Sequence, residues 1–206
     1  MKKLLLIFIS FTKALNQSEC KALVMSGGGS NGAWEAGVLW GLMHYDDPKR
    51  YQYDVVSGVS IGSVNAAALA MWPIGKEVEA SEYLSETWKN LVTDNIYEHW
   101  AKGFLGGEYF IGEIVGFWKK GFYNTEPGSR WLKDRFGKLS MLVNKDIPYS
   151  EQLNSRGFKR MISVSAIDVE TGEVVLYNEM NSKFDEFYMA VMASAAMPGV
   201  FPPIEF

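Results

Sequence analysis

The sequence has one cysteine, Cys20, so no disulfide can form within the chain. Histidine is almost as scarce, with only His44 and His99. An excess of positive charge is missing too. The formal net charge of −4 argues against a nucleic-acid groove and against a strongly basic membrane patch. The apolar run from Leu4 to Phe11 covers eight residues, far short of the roughly 20 that span a bilayer core. Repeats, linkers and low-complexity tracts are absent, and 206 residues read as one domain long enough to bury a core.

Apolar residues make up 48% of the chain, which fits a globular protein and excludes disorder. Residues 1–20 have the layout of a signal peptide. Lys2 and Lys3 form a positive start, the apolar run follows, and Thr12-Lys13-Ala14 or Ser18 offers a cleavage site. The competing reading makes that run an extra strand of a cytosolic protein. A secreted or lumenal location therefore rests on the N-terminus alone. Asn16-Gln17-Ser18 is a glycosylation sequon very near the start.

Ala22 to Met25 reads as a buried first strand, of the kind found in parallel sheets covered on both faces. It feeds into Ser26-Gly27-Gly28-Gly29-Ser30-Asn31-Gly32. A helix follows with Trp34, Val38, Leu42 and Tyr45 on one apolar stripe, ended by Asp46-Asp47-Pro48. Tyr53 to Val56 gives a second strand, and Gly58-Val59-Ser60-Ile61-Gly62 a sharp turn into an Ala-rich helix that Pro73 terminates. The spacing predicts a third helix over 76–92, with Leu84, Trp88, Leu91 and Val92 inward, and a short helix opened by Pro127 through Phe136. Ten aromatics lie between Tyr97 and Trp131, Phe104, Tyr109, Phe110, Phe117 and Trp118 among them. They either cap an apolar substrate site or fill core between helices. Arg160 to Ile167 and Glu173 to Tyr177 form a hairpin about Val169-Glu170-Thr171-Gly172, and a last helix starts near Ser182 as N-cap. The fold class is α/β, with a mainly parallel sheet flanked by helices.

In strand–turn–helix context, G-x-S-x-G exposes Ser60 at a strand end beside a helix N-terminus, where free N–H groups favour negative charge. The turn needs Gly58 and Gly62, since a Cβ at either flank would clash. Gly27-x-Gly29-x-x-Gly32 also matches a dinucleotide fingerprint, but the next strand ends in Ser57-Gly58-Val59-Ser60, with no carboxylate for a ribose. No nucleotide or other cofactor is therefore expected. The alternative use of such glycines is an oxyanion hole, in which each backbone donor is worth on the order of 3 kcal/mol in the transition state.

These motifs, with Asn65 and the alanines behind Ser60 and the closing Ala193-Ser194-Ala195-Ala196-Met197-Pro198-Gly199-Val200-Phe201-Pro202-Pro203, resemble the patatin-like phospholipase family over 21–206. The resemblance implies a Ser-Asp dyad acting on lipid or phospholipid acyl esters without a metal. Ser60 would be the nucleophile, the backbone of Gly27, Gly28 and Gly29 the oxyanion hole, and Gly32, Gly58 and Gly62 the motif glycines. Transient contact with a membrane surface goes with such a substrate, and nucleic acid does not. The family's aspartate lies in an Asp-Gly-Gly or Asp-Gly-Ala motif shortly after Phe-Pro-Pro, and no such motif occurs in this sequence. The domain is thus expected to be C-terminally incomplete, and these 206 residues inactive although the intact protein hydrolyses esters. The alternative is an inactive lipid- or partner-binding protein. Asn31 stands where the family commonly has Arg or Lys. His44 lies in the first helix's last turn, before the nucleophile, His99 has no strand-end carboxylate placed to orient it, and Asp168 falls in the hairpin turn, so no ordinary Ser-His-Asp triad is expected.

Overall fold

The computed structural model describes residues 20–100, 119–143 and 157–206. In chain order the elements are β1 (Ala22–Met25), α1 (Gly32–Tyr45), β2 (Val55–Val59), α2 (Ile61–Ala70) and α3 (Glu77–Lys89). There follow β3 (Glu98–His99), β4 (Tyr123–Asn124), α4 (Glu126–Val143), β5 (Met161–Ile167), β6 (Val174–Asn178) and α5 (Phe187–Ala195). The signal-peptide expectation and the Asn16 sequon fall outside the described residues, as do Phe104, Tyr109, Phe110, Phe117 and Trp118.

The main sheet has the order β1-β2-β5-β6. β2 is parallel to both β1 and β5, while β6 returns antiparallel along β5. This is the mixed, mainly parallel α/β sheet that the alternation of elements implied. Period-two alternation then assigns the faces. Met25, Val56, Gly58, Ile162 and Val164 share one face by register and are buried beneath α2 and α5. The opposite face carries the alternate residues of each strand. Val24, Val59, Met161, Ile167, Val174 and Leu176 lie there, 42% to 75% exposed, with no element over them among the described residues.

α1 is rotated from its expected orientation. Ala36, Leu39 and Met43 are buried, whereas Trp34 and Tyr45 are 71% and 85% exposed. Apolar and small residues cover nearly the whole circumference of this helix, so periodicity could not choose a face. Close packing chooses it instead. A Cβ on Gly32 would stand 2.5 Å from Trp88 Cζ2 and 2.6 Å from Ile61 Cγ1, so the small-residue side of α1 goes inward against α2 and α3.

Other boundaries shift for local reasons. α3 stops at Lys89, and Val92, expected inward, is exposed. α4 runs well past Phe136 because Leu132, Phe136 and Leu139 form a buried stripe, while Glu126–Arg130 and Asp134–Lys138 pair along the outside. Ser182 does not cap α5. Asn178 Oδ1 accepts the N–H groups of Met180 and Asn181, which makes a turn there, and α5 begins later at Phe187. Of the aromatics between 97 and 131, Tyr97 and Tyr123 pack on each other and on Phe201, with centroids 4.7 to 6.4 Å apart.

One buried ion pair ties the bottom of the sheet to the helices. Arg160 donates to Glu77 Oε1 at 2.8 Å and to the carbonyls of Tyr53, Trp72 and Pro73. Among the described residues no helix is long and apolar enough to cross a membrane.

Candidate active site

β2 ends and α2 begins at Ser60, which has φ 54° and ψ −127°. A positive φ in a side-chain-bearing residue outside the usual left-handed well costs on the order of 1–3 kcal/mol and persists only when neighbours enforce it. The neighbours here are backbone. A Cβ on Gly58 would lie 2.3 Å from Gly62 O, and one on Gly62 would lie 2.5 Å from Met25 O. Only glycine fits either place, so the turn closes tightly and lifts Ser60 to the end of the strand.

Two hydroxyls secure the turn. Ser63 Oγ donates to the Ser60 carbonyl, and the Ser60 N–H donates to Ser194 Oγ of α5 at 2.8 Å. Ser194 had no sequence signal of its own; it lies in an Ala-Ser-Ala-Ala run, and its partner is 134 residues away. Ser60 Oγ itself hydrogen-bonds to no group among the described residues.

The glycine loop lies directly against this serine. A Cβ on Gly27 would be 3.2 Å from Ser60 Cβ and 3.8 Å from Ser60 Oγ. Gly28 and Gly29 have φ values of 158° and 56°, conformations that side-chain-bearing residues rarely adopt. The loop is fixed from behind by a polar chain that sequence reasoning did not assemble. Glu35 Oε1 accepts the Ser26 N–H at 2.9 Å, and Glu35 Oε2 accepts Asn65 Nδ2 at 3.0 Å. Asn65 Nδ2 also donates to Gly32 O, and Asn65 Oδ1 accepts Trp88 Nε1–H at 2.9 Å. Asn65 is fully buried with its polar atoms engaged. It therefore locks α2, which carries Ser60, to α1, which carries the glycine loop. Ser26, Gly27, Asn31, Trp34 and Glu35 line an open cleft of about 360 Å³.

The structure thus brings Ser60, Gly27, Gly58 and Gly62 together, with Gly32 packed beneath. The histidines go elsewhere. His44 Nδ1 bonds to Trp40 O, and its Nε2 faces Glu82 Oε1 at 3.3 Å. His99 stacks edge-on to Tyr123 in the β3–β4 pair. Asp168 does turn chemistry: its Oδ1 accepts the N–H groups of Glu170 and Thr171, and these bonds hold its pKa below the ordinary aspartate value.

A family model described as patatin-like phospholipase matches residues 23–206. Two solved structures are similar in fold. VipD from Legionella pneumophila aligns with a TM-score of 0.51 at 17% identity, over 89% of this chain and 43% of VipD. The type III effector ExoU of Pseudomonas aeruginosa aligns with a TM-score of 0.52 at 17% identity, over 87% of this chain and 40% of ExoU. This chain thus spans less than half the length of either. No curated protein matches it.

Proposed function

The chain belongs to the patatin-like phospholipase family, and from that premise we propose that it is the nucleophile-bearing part of a serine lipid acyl hydrolase. The observation that carries the reading is Ser60 at positive φ, enclosed by Gly58 and Gly62 and faced by Gly27.

In the proposed reaction, Ser60 Oγ bonds to the carbonyl carbon of a lipid or phospholipid ester. The carbonyl π electrons move onto oxygen, and the backbone N–H groups of Gly27, Gly28 and Gly29 receive that charge. The Ser60 N–H is already engaged by Ser194 and is not counted among these donors. Collapse of the intermediate expels the alcohol and leaves an acyl-serine, which water then hydrolyses. The proton of Ser60 needs an acceptor, since a neutral hydroxyl is a weak nucleophile. We assign that role to an aspartate in an Asp-Gly-Gly or Asp-Gly-Ala segment, which these residues do not contain. The 206 residues alone then bind ester and turn it over poorly. Delivery to the secretory pathway by residues 1–20 belongs to the same proposal.

The freedom of Ser60 Oγ from any base among the described residues also favours a second reading, a lipid-binding protein without hydrolysis. A fluorophosphonate probe separates the two. Labelling abolished by Ser60→Ala, and accelerated in a chain extended through an Asp-Gly segment, supports the hydrolase. No labelling of either chain, with retained binding of phosphatidylcholine vesicles, sinks it in favour of the binder.

A further inference from the structure

The open cleft beside the glycine loop carries charge of one sign. Ser26, Gly27, Asn31, Trp34 and Glu35 line it, and the Glu35 carboxylate is the only charged group among them. An ionised carboxylate offers about four acceptor sites. The Ser26 N–H and Asn65 Nδ2 take one each, so acceptor capacity is left over at the cleft wall. Among the described residues no Lys, Arg or His pairs with Glu35.

The neighbouring wall is an indole. Trp34 is 71% exposed, at the first turn of α1. Of all side chains a Trp ring attracts cations most strongly, and quaternary ammonium groups use such rings because their methyls pack on the face. Among the described residues the cations that stack on rings use Tyr51, Trp100, Tyr188 and Trp131, and none uses Trp34. A carboxylate and an indole face, both without a cation, thus border one cleft. The donor set suits an organic cation and not a metal ion, since no three His, Cys, Asp or Glu side chains gather among the described residues. At about 360 Å³ the cleft falls in the range of small-molecule sites, about 300–1,000 Å³.

We propose that this cleft holds the quaternary ammonium of a choline headgroup, which makes phosphatidylcholine the preferred class of ester. The inference rests on Ser60 being the acylated residue. Reach agrees with it. Glu35 Oε1 is 2.9 Å from the Ser26 nitrogen, and a Cβ on Gly27 would be 3.8 Å from Ser60 Oγ. With one residue step between them, the carboxylate lies no more than about 14 Å from Ser60 Oγ. Nine or ten bonds separate either ester carbonyl carbon of phosphatidylcholine from its nitrogen. At about 1.1–1.2 Å of advance per bond, as in an extended backbone, they span about 10–12 Å. A contact at each end covers the remainder. An anionic headgroup, such as phosphatidylglycerol, meets the Glu35 charge with no cation to offset it.

The test is calorimetric binding of monomeric dihexanoylphosphatidylcholine and dihexanoylphosphatidylglycerol to the full chain carrying Ser60→Ala. We expect the choline lipid to bind about ten-fold tighter. Trp34→Ala and Glu35→Gln should each cut that ratio about three-fold, the scale of a partly exposed cation–π contact and of an exposed ion pair. Trp34→Phe, which keeps an aromatic face, should retain more of the ratio than Trp34→Ala. Loosening of the glycine loop in Glu35→Gln weakens both lipids alike and cancels, and Trp34 stands too far into solvent to endanger folding. Equal affinity for the two lipids, no binding of either, or a ratio unchanged in both variants overturns the proposal. Choline chloride binding as tightly as the lipid also overturns it, in favour of a free ammonium ligand. Phosphonate labelling of Ser60 is read in parallel. Labelling without headgroup preference removes the choline site and leaves the hydrolase, whereas preference without labelling keeps the choline site and removes the hydrolase.

Discussion

The backbone N–H of Ser60 donates to the hydroxyl of Ser194 at 2.8 Å, so the residue proposed as nucleophile is held by the last helix of the described fold. Replacing Ser194 by alanine leaves a half-buried donor without its acceptor, at a cost of about 1–3 kcal/mol. We expect the urea midpoint of Ser194→Ala to fall accordingly and phosphonate labelling of Ser60 to slow. Ser194→Thr, which keeps an acceptor oxygen, should restore labelling; failure of that rescue would show that packing, and not the hydrogen bond, sets the turn.

The carboxylate of Glu35 receives two donors, one from Ser26 and one from Asn65. A glutamine has only one acceptor oxygen, and its amide turns a donor toward a donor. Glu35→Gln should therefore lose about 1–2 kcal/mol of stability and loosen the glycine loop. The measurement is thermal melting alongside the labelling rate. Equal labelling in both proteins would separate the loop's position from Glu35.

Asn65 makes three bonds at zero exposure, and an apolar replacement strands Trp88 Nε1–H and both acceptors on α1. Asn65→Leu is expected to cost about 2–4 kcal/mol in chemical denaturation. A loss well under 1 kcal/mol would mean that water replaces the side chain at little cost.

Glu77 and Arg160 form a buried ion pair whose guanidinium also holds three backbone carbonyls. Removing one partner leaves an uncompensated charge, so Glu77→Ala should destabilise by about 3–5 kcal/mol. The double replacement of both residues by methionine should recover only part of that loss, because the carbonyls of Tyr53, Trp72 and Pro73 and the Gly75 N–H then lose their partners. A double variant less stable than the single one would contradict this account.

Asp168 is fixed by the N–H groups of Glu170 and Thr171, which lower its pKa below the ordinary aspartate value. A depressed carboxylate contributes stability above its unfolded pKa, and that contribution is lost as pH falls through the folded one. The melting-temperature difference between the wild type and Asp168→Ala should therefore be constant near neutrality and shrink only in strong acid. A difference that instead grew on acidification would reverse the assignment.

Much of this was legible in the chain. The G-x-S-x-G turn and the glycine loop name themselves because sterics admit only glycine at Gly58 and Gly62, and a steric requirement is local. The order of strands and helices followed for the same reason. What remained hidden is non-local. Nothing in Ala193-Ser194-Ala195 reveals that its hydroxyl meets Ser60, and nothing in Glu35 reveals its two donors. The stripe from Trp34 to Tyr45 misled because α1 is apolar on most sides; the choice of face was made by Trp88 resting on Gly32, a contact between distant segments.

The bond from Ser60 to Ser194 also has a consequence in time. At roughly 5–20 residues per second on the ribosome, the 134 residues between them take about 7–27 seconds to synthesise. β2 waits through most of that interval for β5, its partner on one side. During synthesis the strained turn thus exists with Met25 and Ser63 already made but without Ser194 to hold its N–H. A nascent chain halted before α5 should leave Ser60 unreactive, and reactivity should arise late, with the emergence of the final helix.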